Sequence, residues 1–157
     1  LGLSYKGFDF SMLWQGSALC SVQLSGPAVW DFPLYDQSRT GKVRKMHLNR
    51  WTPETAATAT YPALHYGIHN NNKQQYSSLF LYDASYIRLK NVEIGYTLPK
   101  AWTSKAGIQS VRIYAQGQNL LTLDRLGDVD MDPEIKNGDG SWFPVQRVVN
   151  LGINMTF

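Results

Sequence analysis

The sequence predicts an all-β chain, an antiparallel segment of a transmembrane β-barrel. Three observations predict it. Apolar and polar residues alternate with period two over four long stretches, which puts them on opposite faces of extended strands. The polar faces hold Gln, Asn, Thr, Ser and Tyr rather than Lys and Glu, whereas the water-facing side of a soluble sheet carries more charge. Each stretch exceeds the ~5–6 residues usual in globular sheets and suffices for the ~9–11 tilted residues that cross a bilayer.

The first stretch runs from about residue 5 to 17. Phe8, Phe10, Met12 and Trp14 share one face; Asp9, Ser11 and Gln15 share the other, with Leu13 as an exception. The second covers about 80–98. Ile87 and Leu89 set one phase, and Val92, Ile94, Tyr96 and Leu98 set the next. A one-residue slip would turn the second apolar set to the wrong side, so a bulge is expected near Lys90-Asn91. The third covers 110–124, where Val111, Ile113, Ala115 and Gly117 alternate with Arg112, Tyr114, Gln116 and Gln118, and Leu121 and Leu123 continue the apolar face. The fourth, about 145–157, is the clearest: Val149, Leu151, Ile153, Met155 and Phe157 alternate with Asn150, Gly152, Asn154 and Thr156.

The connections are unequal: a long loop over 18–79, a short turn over 99–109 and a medium loop over 125–144. Long loops on one side and short turns on the other are the habit of outer-membrane barrels. The 157 residues are 43% hydrophobic, 13% aromatic and only 17% charged, which excludes general disorder. A net charge of +3 is too small an excess to point to nucleic acid. The single cysteine, Cys20, excludes an intrachain disulfide framework and a cysteine zinc site. No apolar run approaches the ~18 residues of a membrane helix, and no signal peptide opens the chain. The sequence starts within a strand-like pattern and without an initiator Met, and reads as a fragment or a processed piece.

Alternation also fits a soluble, secreted β-sandwich that holds glycans with loop aromatics, its oily faces turned inward. The amide-rich polar faces, the strand lengths and the aromatics at the ends of the apolar faces (Trp14, Tyr96, Phe157) favour the barrel.

Several motifs then resemble one family. Asp83–Lys100, DASYIRLKNVEIGYTLPK, is similar to the penultimate barrel hairpin of SusC/RagA-type TonB-dependent outer-membrane transporters. IYAQGQNLLTL over 113–123 resembles that family's next strand, with Gly117-Gln118-Asn119-Leu120 as its core. Asp132-Pro133-Glu134, Asn49-Arg50-Trp51-Thr52-Pro53-Glu54, Tyr5-Lys6-Gly7-Phe8-Asp9 and the ending NLGINMTF resemble further family motifs, in the family's order. Residues 18–40 match none of them. The resemblance implies that 1–157 is the C-terminal part of a receptor barrel, its last four strands, within a protein of about 22 strands and an N-terminal plug. It implies a cell outer membrane location and import of oligosaccharides or peptides without catalysis. It also implies the remaining barrel and plug, outer-membrane lipid, a SusD-like lipoprotein and the TonB complex as partners. Counting back from a periplasmic C-terminus puts 18–79 and 125–144 outside the cell and 99–109 in the periplasm.

The chemistry-bearing candidates are few. Trp30, Tyr35, Trp51 and Trp142 are the candidate ligand-binding residues, with Tyr61 and Tyr66 in the same aromatic crowd, because aromatic faces stack on sugar rings. Phe157, a terminal aromatic after an alternating strand, resembles the signal read by barrel-assembly machinery. His65 and His69 stand four apart, and His47 shares their loop, but no Glu accompanies them, so surface histidines are expected rather than a metal site. Asp128, Asp130, Asp132 and Glu134 have the spacing of a calcium loop, but Pro133 takes the glycine position, so a solvated acidic loop is expected. Arg39, Lys42, Arg44, Lys45 and Arg50 form a basic cluster, expected to be solvated. No nucleophile motif, HExxH or phosphate loop is present, and no cofactor is expected.

Overall fold

The computed structural model describes residues 1–26, 45–64, 77–135, 137–140 and 142–157. The chain divides into two compact units. One comprises Leu1–Gly16, Tyr86–Leu123 and Val145–Phe157, the other Ser17–Ser85 and Asp124–Pro144.

The first unit is a five-stranded sheet. Its strands are β1 (Gly2–Tyr5), β2 (Phe8–Ser17), β5 (Tyr86–Thr97), β6 (Ser110–Asp124) and β7 (Val148–Thr156), in the order β1-β2-β5-β6-β7. The sheet is antiparallel at the pairings β1–β2 and β6–β7 and does not close, so β1 and β7 are its edges. The predicted first strand begins three residues too early. Tyr5 pairs with Phe8, and Lys6 and Gly7 turn between them at φ 48° and 86°. Two consecutive positive φ angles make the tight hairpin whose twist matches its strands. The predicted second strand is also two pieces. Leu81–Asp83 is β4, which pairs with β3 (Ser21–Gln23) in the other unit. The Asp83 carboxylate accepts from the Ser85 amide at 2.9 Å, an Asx turn that interrupts the run before β5.

The phase slip expected at Lys90-Asn91 is visible in the faces. Ile87 and Ile94 are both exposed while Arg88 and Gly95 are both buried, each pair an odd number of positions apart. After β5, Pro99 ends the strand. A single helical turn, α1 (Lys100–Thr103), runs into the 3-10 turn Ser104–Ala106. Gly107 at φ 72° closes that turn.

Register separates the two faces cleanly. Val111, Ile113, Ala115 and Gly117 of β6 oppose Met155, Ile153, Leu151 and Val149 of β7. Arg112, Tyr114 and Gln116 oppose Asn154, Gly152 and Asn150. The apolar residues of β7 are bare: Val149, Leu151, Ile153 and Met155 are 70%, 82%, 57% and 52% exposed. A sandwich would lay a second layer over them. Among the described residues none does.

The second unit holds the hydrophobic core. Val22, Leu24, Met46, Tyr61, Phe80, Ala84, Leu126 and Val129 are buried together, with Cys20, Leu64, Tyr82 and Met131 packed against them. The described parts of 18–79 are thus a packed unit rather than a structureless loop. The 3-10 turn Lys45–Asn49 delivers Met46 and His47 inward.

Candidate functional site: the polar face of the sheet

The polar face brings three charged groups together at one place. The Arg112 guanidinium donates through Nε to Asp9 Oδ2 at 3.0 Å, through Nη2 to Asp9 Oδ1, and through Nη2 to Glu93 at 2.6 Å. The three groups belong to β6, β2 and β5, and each is only about a quarter to a third exposed. Arg112 also lies 5.1 Å from the Tyr114 ring. The planar fork suits a bidentate carboxylate, and charge-assisted bonds of this kind are about twice as strong as neutral ones. Farther along, buried Arg88 donates to Thr122 at 2.8 Å and lies over the Tyr86 ring. Sequence reasoning missed the Arg112 group. The available signal was charge at Asp9, Glu93 and Arg112 on faces otherwise filled with amides and hydroxyls.

Between these clusters, Leu13, Gln15, Lys90, Asn91, Gln118 and Asn119 line a depression of about 340 Å³. The consecutive pair Lys90-Asn91 faces the same space, as a bulge makes possible. Asn119 adopts φ 52° within β6, and its side-chain amide donates to the Gln146 carbonyl at 3.1 Å. Leu13, the apolar exception in the first stretch, belongs to this face.

The residues singled out from sequence fall elsewhere. Trp51 and Trp142 are described and exposed, both in the second unit. Trp30 and Tyr35 lie outside the described residues, as do Tyr66, His65, His69, Arg39, Lys42 and Arg44. Tyr61 is no surface aromatic: it is buried, 6.2 Å from the Phe80 ring. His47 is not a surface histidine either. It is 1% exposed and meets Tyr61 edge-on at 4.7 Å. Lys45 pairs with Asp128 at 3.0 Å, on the surface. Asp132 is buried and accepts from the Glu134 amide in an Asx turn, so this carboxylate shapes its loop instead of facing solvent. No group of three metal-ligating side chains occurs among the described residues. Phe157 is exposed at the end of β7.

A sheet with a bare oily face, a wet face of amides and paired charges, and its core in a separate unit defines a wall segment of a membrane β-barrel. The comparisons place it further. No family model matches the sequence. The chain is 30% identical to the TonB-dependent receptor P3 of Formosa agariphila over 168 residues, covering 99% of this chain and 15% of that protein. It is 26% identical to the TonB-dependent receptor SusC of Bacteroides thetaiotaomicron, covering 99% and 14%. Among solved structures it matches the RagAB peptide importer in its closed-closed state with a TM-score of 0.70 at 25% identity, covering 99% of this chain and 16% of that one. Over 99% of its length the chain resembles a barrel segment of the SusC/RagA type of TonB-dependent receptor. It spans about a sixth of the length of the relatives it matches. These relatives are named as receptors and as an importer.

Proposed function

We propose that the chain is the C-terminal wall of a TonB-dependent importer in the outer membrane, taking up oligosaccharides or peptides. The observation that carries this reading is the exposure of Val149, Leu151, Ile153 and Met155 on a face that no described residue covers. Hydrocarbon is the solvent that suits such a face, and backbone groups in it must be paired. The unpaired edges of β1 and β7 are therefore met by the rest of the barrel. The names of the relatives support substrate uptake, RagAB being named a peptide importer.

In this reading the polar face lines the lumen, with the plug inside it and the TonB complex engaged through the plug. Residues 18–79 and 125–144 lie outside the cell, and 99–109 lies in the periplasm. Packing of Leu24 and Phe80 with Leu126 within one unit supports a common side for the two loops. A SusD-like lipoprotein covers the outer loops, where Trp30, Tyr35, Trp51 and Trp142 contact lipoprotein or ligand. Phe157 serves as the barrel-assembly signal.

Fractionation of the full-length parent tests the reading. It is expected in the outer-membrane fraction, with heat-resistant migration in gels. Recovery among soluble proteins overturns it.

A further inference from the structure

The turn between β5 and β6 carries a depression of its own. Lys100, Thr103, Ser104, Gly107, Ile108 and Gln109 line a space of about 380 Å³. No carboxylate lines it, and residues 99–109 contain Lys100 and Lys105 but no Asp or Glu.

Local structure decides which donors face this space. The Gly107 amide donates to the Ser104 carbonyl at 3.1 Å, the Ile108 amide to Thr103 at 3.2 Å and the Gln109 amide to Thr156 at 2.8 Å. The buried Thr103 hydroxyl turns back to the Lys100 carbonyl at 3.4 Å. The Lys100 ammonium, the Ser104 hydroxyl and the Gln109 carboxamide bond to no other described residue. Three uncommitted donors, one of them cationic, belong to residues that line a space with no Asp or Glu in its wall. A phosphate oxygen set matches them, as a compact anion that accepts from ammonium, hydroxyl and amide together.

The surroundings are those of a membrane boundary. Trp102 on α1 is exposed, Phe157 follows the Thr156 carbonyl that receives the Gln109 amide, and Phe8 stacks on Tyr96 at 4.4 Å where Thr97 bonds Gly7. Aromatic residues gather where headgroups meet acyl chains. We propose that this depression binds the phosphate of a phospholipid headgroup, with Trp102 at the interface beside it. The proposal rests on the outer-membrane reading above. An apolar neighbourhood favours a lipid phosphate over free phosphate as the occupant.

The test uses the full-length parent purified from outer membranes in mild detergent and titrated with phosphatidylglycerol, with bound lipid counted by native mass spectrometry. Lys100→Ala with Ser104→Ala should lower lipid retention about fivefold, the effect of one lysine near an anionic surface. Lys100→Arg, which keeps the charge, should retain it. All variants should keep heat-resistant migration, and inorganic phosphate should not compete. Equal retention by the Ala variant overturns the proposal. Displacement by inorganic phosphate overturns the lipid as source. A photo-crosslink from position 104 to protein instead of lipid assigns the surface to a protein and overturns it also. Fractionation before any lipid is added separates the two failures. A parent absent from the outer membrane sinks the membrane reading as well; a correctly located parent with insensitive retention sinks only this site.

Discussion

Arg112 of β6 reaches Asp9 of β2 across an intervening strand, and Gly95 is the residue that lets it pass. A Cβ at Gly95 would sit within 2.7 Å of the Arg112 guanidinium and the Asp9 carboxylate. The side chains meet over the middle strand because that strand offers nothing to climb over.

The trio therefore ties three strands with one cation. Arg112→Ala leaves Asp9 and Glu93 on one face with no shared counterion. A lower unfolding midpoint is expected, because hydrogen bonds to charged groups are among the stronger kind. Arg112→Lys keeps the charge but loses the fork and should fall between. Urea unfolding midpoints of the full-length protein in detergent measure both, and an unchanged midpoint for the Ala variant refutes the assignment.

Gly152 and Tyr114 face each other in register, and the Tyr114 ring occupies the space a Cβ at Gly152 would need. Gly152→Ala should cost about 1–3 kcal/mol by overpacking. Tyr114→Ala should remove most of that penalty in the double variant, because the two changes share one space. Additive effects in a double-mutant cycle would show that the ring moves aside freely.

Leu151 is the most exposed apolar residue of β7. Placed against hydrocarbon near the bilayer midplane, Leu151→Lys should cost about 2–4 kcal/mol. It should lower the yield of heat-resistant barrel in the outer membrane. Asn150→Lys, one position along and on the opposite face, should leave the yield nearly unchanged. Equal yields for the two variants would mean that the faces are assigned the wrong way round.

Asp83 is held below the ordinary carboxylate range by the Ser85 hydroxyl and amide, with a smaller contribution from Arg125. A lowered pKa in the folded state means that the ionised group contributes stability above the ordinary range. That contribution is lost only as pH falls through the lowered value. Acid titration of the second unit's melting should show this step, and Asp83→Asn should abolish it. A variant with the same acid profile as the parent contradicts the role of this turn.

Local patterning carried most of the sheet. The alternation of Val149 through Met155, and of Val111 through Gly117, set the faces of both strands, because each depends only on neighbours two positions away, although β7 begins at Val148 and not at 145. The phase change at Lys90-Asn91 was legible for the same reason. The hairpin at Lys6-Gly7 was not: Lys is a poor guide to a positive φ, and Gly7 alone did not mark a turn. The second unit was hidden because its core joins Leu24, Met46, Phe80 and Leu126 from distant segments without periodicity. His47 looked like a loop histidine until a 3-10 turn delivered it to Tyr61. The Arg112 trio required knowing that β5 lies between β2 and β6.

The bare outer border of β7 has a practical side. With every second side chain greasy and a full row of amides seeking company, this piece freed in water is a template for sticking to its own kind. Anyone expressing it by itself should plan for inclusion bodies and refolding in surfactant, and should treat clear supernatant as a warning that something else has been made.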